Sequence, residues 1–200
     1  KSDVTLLMSD IRGFSKITMG MDSAMVVEML NEYFSALVDV IFEHKGTIDK
    51  FIGDAILAIF GSPEPDKNQQ ENAVLAALAM QDAMARVNVQ RRRRGAITCE
   101  LGIGLHYGEV LHGFIGGENR LEFTVIGETV NWTARYCDGA KATETLISDA
   151  LQPYVANLFQ TEPKTIPTKH EGDFRAFSVL GPKGFPKDSE VDVSLKPEKG

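Results

Sequence analysis

The sequence predicts an α+β fold, in which one mainly antiparallel sheet is covered on one face by helices. Two long helical patterns alternate with short apolar runs that follow one another as hairpins, and 43% hydrophobic with 24% charged residues is typical of a globular protein. We assign residues 1–180 to one domain. Residues 181–200 are rich in Lys, Pro, Glu and Asp, so we expect them to be a mobile C-terminal extension.

The first elements are a strand and a helix. Residues 4–10, VTLLMSD, form a short apolar run that predicts a buried strand with Asp10 at its end. Gly13 permits a turn directly after this strand. Apolar residues then recur at three- and four-residue steps over 22–45, which predicts a helix, and Gly46 stands where a C-terminal cap is expected.

The middle of the chain predicts two hairpins separated by a second helix. Residues 47–61 indicate two strands around a tight turn at 52–54. A helix is expected from about Gln70 to Val89, followed by a loop that carries four consecutive arginines at 91–94. Residues 99–117 suggest two strands that are joined near Gly108.

The last part of the chain repeats the alternation of strands and helices. We expect a strand at 121–127, a helix at 128–140, a shorter strand and helix within 145–154, and a final hairpin that ends at 173–180. The elements therefore run as hairpins interleaved with helices, which favours a layered α+β sandwich.

Charge and cysteine content exclude several classes of function. A net charge of −7 argues against general nucleic-acid binding, which requires a basic surface. Cys99 and Cys137 match no metal-ligand spacing, so we expect both to be reduced packing residues. Reduced cysteines suit a cytoplasmic location. The sequence shows no apolar run of membrane-spanning length and no signal peptide. An upstream sensor or membrane domain remains compatible with these observations.

Two aspartates are the first candidates for chemistry. Asp10 follows a buried strand and Asp54 lies in the turn between two strands, so neighbouring strands would bring both carboxylates to one edge. Mg²⁺ needs only one or two carboxylates when substrate phosphates supply its other ligands. Taken alone, either aspartate is more often an ordinary turn or strand-end residue.

Other candidates are equally ambiguous when each is taken alone. Asn131 and Arg135 are four residues apart and project from one face of the predicted helix, where they could bind a sugar and a phosphate or simply face solvent. Lys50 could be an ordinary surface lysine, and Thr124 an ordinary strand threonine.

Four strings give these residues a common context. LMSDIRGFS, TIDKFIGDAILAIFG, GIGLHYGEVLHGFIGG and EFTVIGETVNWTAR occur in this order between residues 4 and about 180. In order and approximate spacing they resemble the motifs of class III adenylate and guanylate cyclase catalytic domains. The resemblance implies a ferredoxin-like, palm-type sandwich and a homodimer whose two sites each take residues from both subunits.

The resemblance also implies a metal site. Asp10 and Asp54 match the aspartates that hold two divalent ions, Mg²⁺ or Mn²⁺, in this family. The backbone from Ile11 to Phe14 matches the segment that touches metal and phosphates, so Ile11 is assigned to the metal and Gly13 and Phe14 to the substrate.

The remaining roles that the resemblance implies concern the nucleotide. Asn131 matches the asparagine that orients the ribose, and Arg135 the arginine that stabilises charge on the α-phosphate. Lys50 and Thr124 match the pair that reads the base. Lys169 falls where a lysine that binds the triphosphate is expected, although the residues around it match loosely.

The base-reading pair predicts ATP as the substrate and cyclic AMP with pyrophosphate as the products. Lys50 can only donate, which suits adenine N1, and the Thr124 hydroxyl can accept from the adenine N6 amino group. Guanylate cyclases of the family typically have Glu and Cys at these positions. Because a hydroxyl also donates, some use of GTP stays open, and so do a guanylate cyclase and a catalytically silent dimerisation module. A threonine at the position of Thr124 also resembles a subgroup of the family whose members are often stimulated by bicarbonate.

Overall fold

The structure is a computed structural model that describes residues 1–168 and 172–184. Lys169 and residues 185–200 lie outside the described residues. The elements follow one another in the order β1 (Ser2–Ile11), α1 (Phe14–Thr18), α2 (Ser23–Glu43), β2 (Thr47–Ile52), β3 (Ala55–Phe60), α3 (Gln69–Arg93), β4 (Leu101–Gly117), β5 (Arg120–Ile126), α4 (Glu128–Gly139), β6 (Thr145–Ser148), α5 (Gln152–Val155), β7 (Phe159–Ile166) and β8 (Phe174–Pro182).

One sheet contains all the strands of the described residues. Its order is β2-β3-β1-β4-β6-β8-β7, and β5 pairs with the distal half of β4 outside this order. Every pairing is antiparallel except that of β4 with β6. The predicted α+β class with one mainly antiparallel sheet covered by helices is therefore confirmed.

The helices cover both faces of this sheet, although the sequence had predicted only one covered face. Because strand side chains alternate, Leu7 and Ile11 of β1 pack in the core beneath α2 and α3, whereas Val4 and Leu6 pack on the other face. Val130 of α4 packs against that second cluster. The two faces therefore carry different helices, and among the helices of residues 1–168 and 172–184 only α4, of the longer ones, lies on the second face.

Glycines in β4 let α4 lie directly against the sheet. A Cβ atom added at Gly104 would lie 2.0 Å from the backbone nitrogen of Cys137, and one at Gly108 would lie 2.8 Å from Thr129 Oγ1. His106, between these glycines, stacks on Tyr136 of α4 with ring centroids 5.9 Å apart. The glycines on this face of β4 therefore determine how closely α4 packs against the sheet.

Strand β4 is continuous, so the predicted pair of strands joined near Gly108 is wrong. Its first half pairs with β1 and its last part, residues 111–117, pairs with β5. Gly108 serves the approach of α4 and makes no turn. Residues 111–117 and β5, named here the β4–β5 arm, pair with each other as a two-stranded antiparallel ribbon.

Helix α3 is longer than predicted and includes most of the arginine run. Arg91 is only 6% exposed, forms an ion pair with Glu32 of α2 and donates from Nε to the Ile97 carbonyl at 2.6 Å. A run of four arginines suggested a solvated loop, but the amphipathic position of Arg91 turns this side chain towards α2. None of the helices in the described residues combines the length with the apolar character that crossing a bilayer requires.

The ends of α2 and of the last strand refine two other predictions. Asp22 caps α2 by accepting a hydrogen bond from Ala24 N at 2.8 Å. Lys45 takes the left-handed conformation after α2, with φ of 63°, while Gly46 is required because Ile41 and Phe60 fill the space of a Cβ atom. Strand β8 runs to Pro182, two residues beyond the predicted domain boundary.

We expect Gly104→Ala to destabilise the domain by about 3 kcal/mol or more, because the new methyl group meets backbone atoms that have no rotamer in which to move away. Gly113→Ala is the matched control, since it lies on the same strand with no atom within 4 Å of an added Cβ. Urea unfolding of both variants measures the difference. Equal stability of the two variants would contradict the close approach of α4.

Candidate active site

Asp10 and Asp54 are neighbours at one edge of the sheet. Strand β1 pairs with β3 in a register that matches Ser9 with Ile56, so Asp10 lies beside the start of β3 and Ile11 beside Asp54. The Ile11 backbone N–H donates to Asp54 Oδ2 at 3.0 Å. Gly53 makes the turn before Asp54 with φ of 60°. The structure thus brings together the two aspartates and Ile11, as the sequence predicted.

Arg12 connects this cluster to the end of α4. Its guanidinium forms an ion pair with Asp10 and donates to the carbonyl oxygens of Ala140 at 2.9 Å and Asp138 at 3.4 Å. Gly102 makes room for it, since an added Cβ atom there would lie 2.7 Å from Arg12 Nε. A cation at the carbonyl end of a helix is electrostatically favourable. Arg12 therefore fixes Asp10 relative to α4.

The donor set of this edge suits a hard divalent cation. In residues 1–168 and 172–184 no group of three or more His, Cys, Asp and Glu side chains could hold a metal ion. A closed site with four protein ligands is therefore absent from this part of the chain, and Asp10 and Asp54 provide oxygen ligands only. Mg²⁺ and Mn²⁺ accept such an incomplete protein shell when phosphates and water complete it.

Gly13 and Phe14 follow this edge at the start of α1. Gly13 has φ of 68°, and no atom lies within 4 Å of the position of its absent Cβ. Phe14 is half-buried and packs against the core beneath α2 and α3. The left-handed conformation of Gly13 turns the chain from β1 into α1 and leaves the backbone next to Asp10 accessible.

Lys50 and Thr124 lie close to each other and share one neighbour, the carboxylate of Asp49. Thr124 Oγ1 donates to Asp49 Oδ2 at 2.8 Å, and Lys50 Nζ lies 3.8 Å from the same oxygen. Lys50 also forms an ion pair with Glu122 at 3.3 Å. Thr124 is buried, and the Asp49 side chain is only 4% exposed. The sequence predicted the pair but missed Asp49.

A β-bulge explains how two consecutive side chains reach the same place. Strand β2 pairs Ile48 with Ala58 and Lys50 with Leu57, so Asp49 is an extra residue without a partner in the register. Strict alternation would turn Asp49 and Lys50 to opposite faces of the sheet, whereas a bulge re-aims a side chain. No local sequence signal marks this bulge, which is why the sequence analysis could not associate Asp49 with Thr124.

Asn131 and Arg135 lie one turn apart on α4, as predicted. Asn131 is exposed, and Arg135 is half-buried with its guanidinium carbon 4.6 Å from the centre of the Trp132 ring. Trp132 also donates from Nε1 to Glu128 at 3.3 Å. The indole therefore supports the Arg135 side chain, because a guanidinium is attracted to an aromatic face.

Arg135 borders a cavity of about 430 Å³ between α4 and the β7–β8 connection. Its other lining residues are Asp138, Gly139, Ile166, Pro167, Thr168 and Phe174. Lys169, the predicted triphosphate ligand, directly follows Thr168 but lies outside the described residues.

His106 and the two cysteines have packing roles, with His106 against α4, Cys137 in α4 and Cys99 in the core beneath α2 and α3. Burial lowers the pKa of His106, which favours its neutral form against the Tyr136 ring. Burial raises the pKa of the Cys137 thiol to about 12 and also raises that of Cys99. Both cysteines are free and buried, as predicted.

Within one chain the candidate residues form three groups on different elements. Asp10, Ile11 and Asp54 form the first, at the β1–β3 edge. Lys50 and Thr124 form the second, joined through Asp49, and the side chains of α4 form the third. Sequence reasoning assigned no role to Arg12 or Asp49, although both lie within the quoted strings. Arg12 links the first group to α4, and Asp49 joins Lys50 to Thr124 within the second.

Comparison with known proteins gives these groups a common context. A family model described as the adenylate and guanylate cyclase catalytic domain matches residues 1–177. Among curated proteins, Adenylate cyclase 1 of Rhizobium meliloti is 34% identical over 135 residues, which cover 68% of this chain and 20% of that protein. The chain therefore spans about a fifth of the length of this relative.

Solved structures of both specificities resemble the fold. The guanylyl cyclase Cya2 superposes with a TM-score of 0.85 at 34% identity, covering 92% of this chain and 94% of Cya2. The adenylyl cyclase CyaB from P. aeruginosa superposes with a TM-score of 0.83 at 28% identity, covering 96% of each chain. Overall similarity thus fits both kinds of cyclase about equally well.

We expect Arg12→Met to lower the free energy of unfolding by about 2 kcal/mol, because it leaves Asp10 and two helix carbonyls without their donor. Arg175→Met is the control, since the Arg175–Asp149 pair is exposed and should contribute less than about 1 kcal/mol. Urea unfolding compares the two. A loss in Arg12→Met no larger than in the control would refute the bridging role.

Proposed function

Because the chain belongs to the adenylate and guanylate cyclase catalytic-domain family, we propose that it converts ATP to 3′,5′-cyclic AMP and pyrophosphate with divalent metal ions. The observation that carries the choice of ATP is the juxtaposition of Lys50 and Thr124 beside one carboxylate. A donor and an acceptor beside each other complement the N1 and N6 edge of adenine.

Lys50 argues against GTP as the preferred substrate. An ammonium group only donates, and guanine presents its own N1–H donor where adenine presents an acceptor. A buried donor that faces another donor costs about 1–3 kcal/mol. Glu122 Oε1 lies 3.3 Å from Lys50 Nζ, so an ion pair with this carboxylate holds the lysine side chain beside Thr124's strand.

The reaction is an attack of the ribose 3′-oxygen on the α-phosphorus. A bond forms between these atoms as the proton of the 3′-hydroxyl passes to solvent, the bond from the α-phosphorus to the bridging oxygen breaks, and pyrophosphate leaves. Asp10 and Asp54, with the Ile11 backbone, would hold two ions of Mg²⁺ or Mn²⁺. When bound, these ions would lower the pKa of the 3′-hydroxyl and neutralise charge on the leaving group.

The side chains of α4 would serve the sugar and the phosphate. Asn131 would orient the ribose through its carboxamide, which offers both a donor and an acceptor. Arg135 would meet the charge that grows at the α-phosphoryl oxygens, and stabilising charge that develops in the transition state accelerates the step. The backbone at Gly13 and Phe14 and the Lys169 side chain would contact the phosphates.

We propose that the site is shared between two copies of this chain. The three groups of candidate residues stand on different elements, and the chain contains every member that a symmetric pair of sites needs. The β4–β5 arm supports this assembly, because Phe114, Leu121 and Phe123 are 71%, 62% and 54% exposed. Clustered exposed apolar side chains are typical of protein interfaces.

Regulation and location stay predictions. Activation by bicarbonate rests on the identity of Thr124 alone, and the described residues add nothing to it. A sensor or membrane domain elsewhere in a longer protein is compatible with the fraction of the relatives that the chain spans. We propose a cytoplasmic location for this domain, where ATP is abundant.

We expect the purified domain to form cyclic AMP from ATP and much less cyclic GMP from GTP, with Mg²⁺ or Mn²⁺. A direct product assay over a range of protein concentrations measures this, since a weak dimer gains specific activity as its concentration rises. Dominant cyclic GMP would favour a guanylate cyclase. No cyclic product with either metal would favour a catalytically silent dimerisation module.

Mixing inactive Asp10→Ala with inactive Asn131→Ala protein should restore about a quarter of the wild-type activity, because half of the dimers are mixed and each has one intact site. Mixing Asp10→Ala with Asp54→Ala is the control and should restore none, since both changes damage the same half. Failure of the first mixture, with subunit exchange demonstrated, would refute shared sites.

A further inference from the structure

The hydroxyl of Thr124 is chemically ambivalent, and its direction decides which base it reads. A threonine hydroxyl has one proton to donate and two lone pairs that accept. If it accepts from the base, it complements the N6 amino group of adenine. If it donates to the base, it complements O6 of guanine. Threonine at this position therefore does not by itself select a substrate.

Asp49 removes this ambivalence. An ionised carboxylate only accepts hydrogen bonds, and Asp49 Oδ2 lies 2.8 Å from Thr124 Oγ1. The Thr124 proton must therefore lie on the line to Asp49. Only the lone pairs of the hydroxyl oxygen are then available to a ligand, so Thr124 faces the base as a hydrogen-bond acceptor.

The orientation of Asp49 is itself fixed by the fold. Its second oxygen, Oδ1, accepts the backbone N–H of Val125 at 3.3 Å, and Lys50 Nζ lies 3.8 Å from Oδ2. The Asp49 side chain is 4% exposed, so water competes little for these contacts. The bulge at Asp49 in β2 is what allows Asp49 and Lys50 to act on the same base edge.

We propose that Asp49 is a positioning residue that determines the preference for ATP over GTP by holding the Thr124 hydroxyl as an acceptor. The inference rests on the proposed function, because it assumes that Lys50 and Thr124 face the base. In the same pose, guanine presents O6 to the oxygen of Thr124 and N1–H to Lys50. Both contacts are then mismatched, an acceptor against an acceptor and a donor against a donor.

Asp49→Asn is the decisive variant, because it reverses one hydrogen bond with almost no change in shape. The Val125 N–H requires an acceptor, so the amide oxygen faces Val125 and the amide NH₂ group faces Thr124. The Thr124 oxygen then accepts from the amide, and its proton becomes available to guanine O6. We expect the ratio of kcat/KM for ATP to that for GTP to fall about tenfold or more.

Two controls separate hydrogen-bond direction from charge and from folding. Glu122→Gln removes a carboxylate that is also next to Lys50 but does not touch Thr124, and should change the ratio by less than about fivefold. In the Thr124→Val background, Asp49→Asn should have no further effect on the ratio, because no hydroxyl remains to be turned. Asp49→Ala removes the acceptor without adding a donor and should relax the ratio less than Asp49→Asn.

Competition binding of ATP and GTP to each variant measures the preference for ATP over GTP without requiring turnover. Wild-type protein that prefers ATP in binding but forms no cyclic product would overturn the proposed function and leave this inference standing. Folded Asp49→Asn and Asp49→Ala proteins that keep the wild-type ratio in both assays would overturn the role of Asp49. An equal change of the ratio in Glu122→Gln would overturn it as well, because charge alone would then explain the effect.

Discussion

The close approach of α4 to β4 is the constraint on which the arrangement of the site depends. A helix can lie at backbone distance from a strand only where the strand has no side chains, and Gly104 meets this condition opposite Cys137. The same approach brings the end of α4 within reach of Arg12, which also pairs with Asp10. The helix that carries Asn131 is thereby held to the strand that carries the first aspartate, although their side chains are proposed to serve different sites.

This constraint also explains why the two faces of the sheet differ. Helices α2 and α3 bury large apolar side chains against one face, where burial supplies most of the stabilising free energy. The other face has smaller apolar clusters, α4 and the β4–β5 arm with its exposed aromatic residues. One face therefore carries the larger apolar core, and the other carries α4 with Asn131 and Arg135 together with the exposed aromatic residues of the β4–β5 arm.

Lys50, Thr124 and Asp49, the proposed base-reading group, show how the neighbours of a polar side chain restrict its hydrogen bonding. Thr124 and Lys50 carry the donors and acceptors, but the buried carboxylate between them determines which of these remain for a ligand. Cya2 and CyaB share this fold to nearly the same extent, so the fold as a whole does not distinguish their substrates. Hydrogen-bond directions such as that of Thr124 are too local to alter the chain path.

The sequence by itself determined the features that depend on neighbouring residues: the helical pattern over 22–45, the turn at Gly53 that presents Asp54, and the spacing of Asn131 and Arg135 on one helix face. Only the tertiary structure decided the face on which α4 lies, the burial of Arg91, the continuity of β4 and the bulge at Asp49. Hydrophobic periodicity and turn-forming residues act over a few positions, so they can be recognised in the sequence. The ion-pair partner of a buried charged residue, and the strand register that orients its side chain, depend on strands and helices that are distant in sequence.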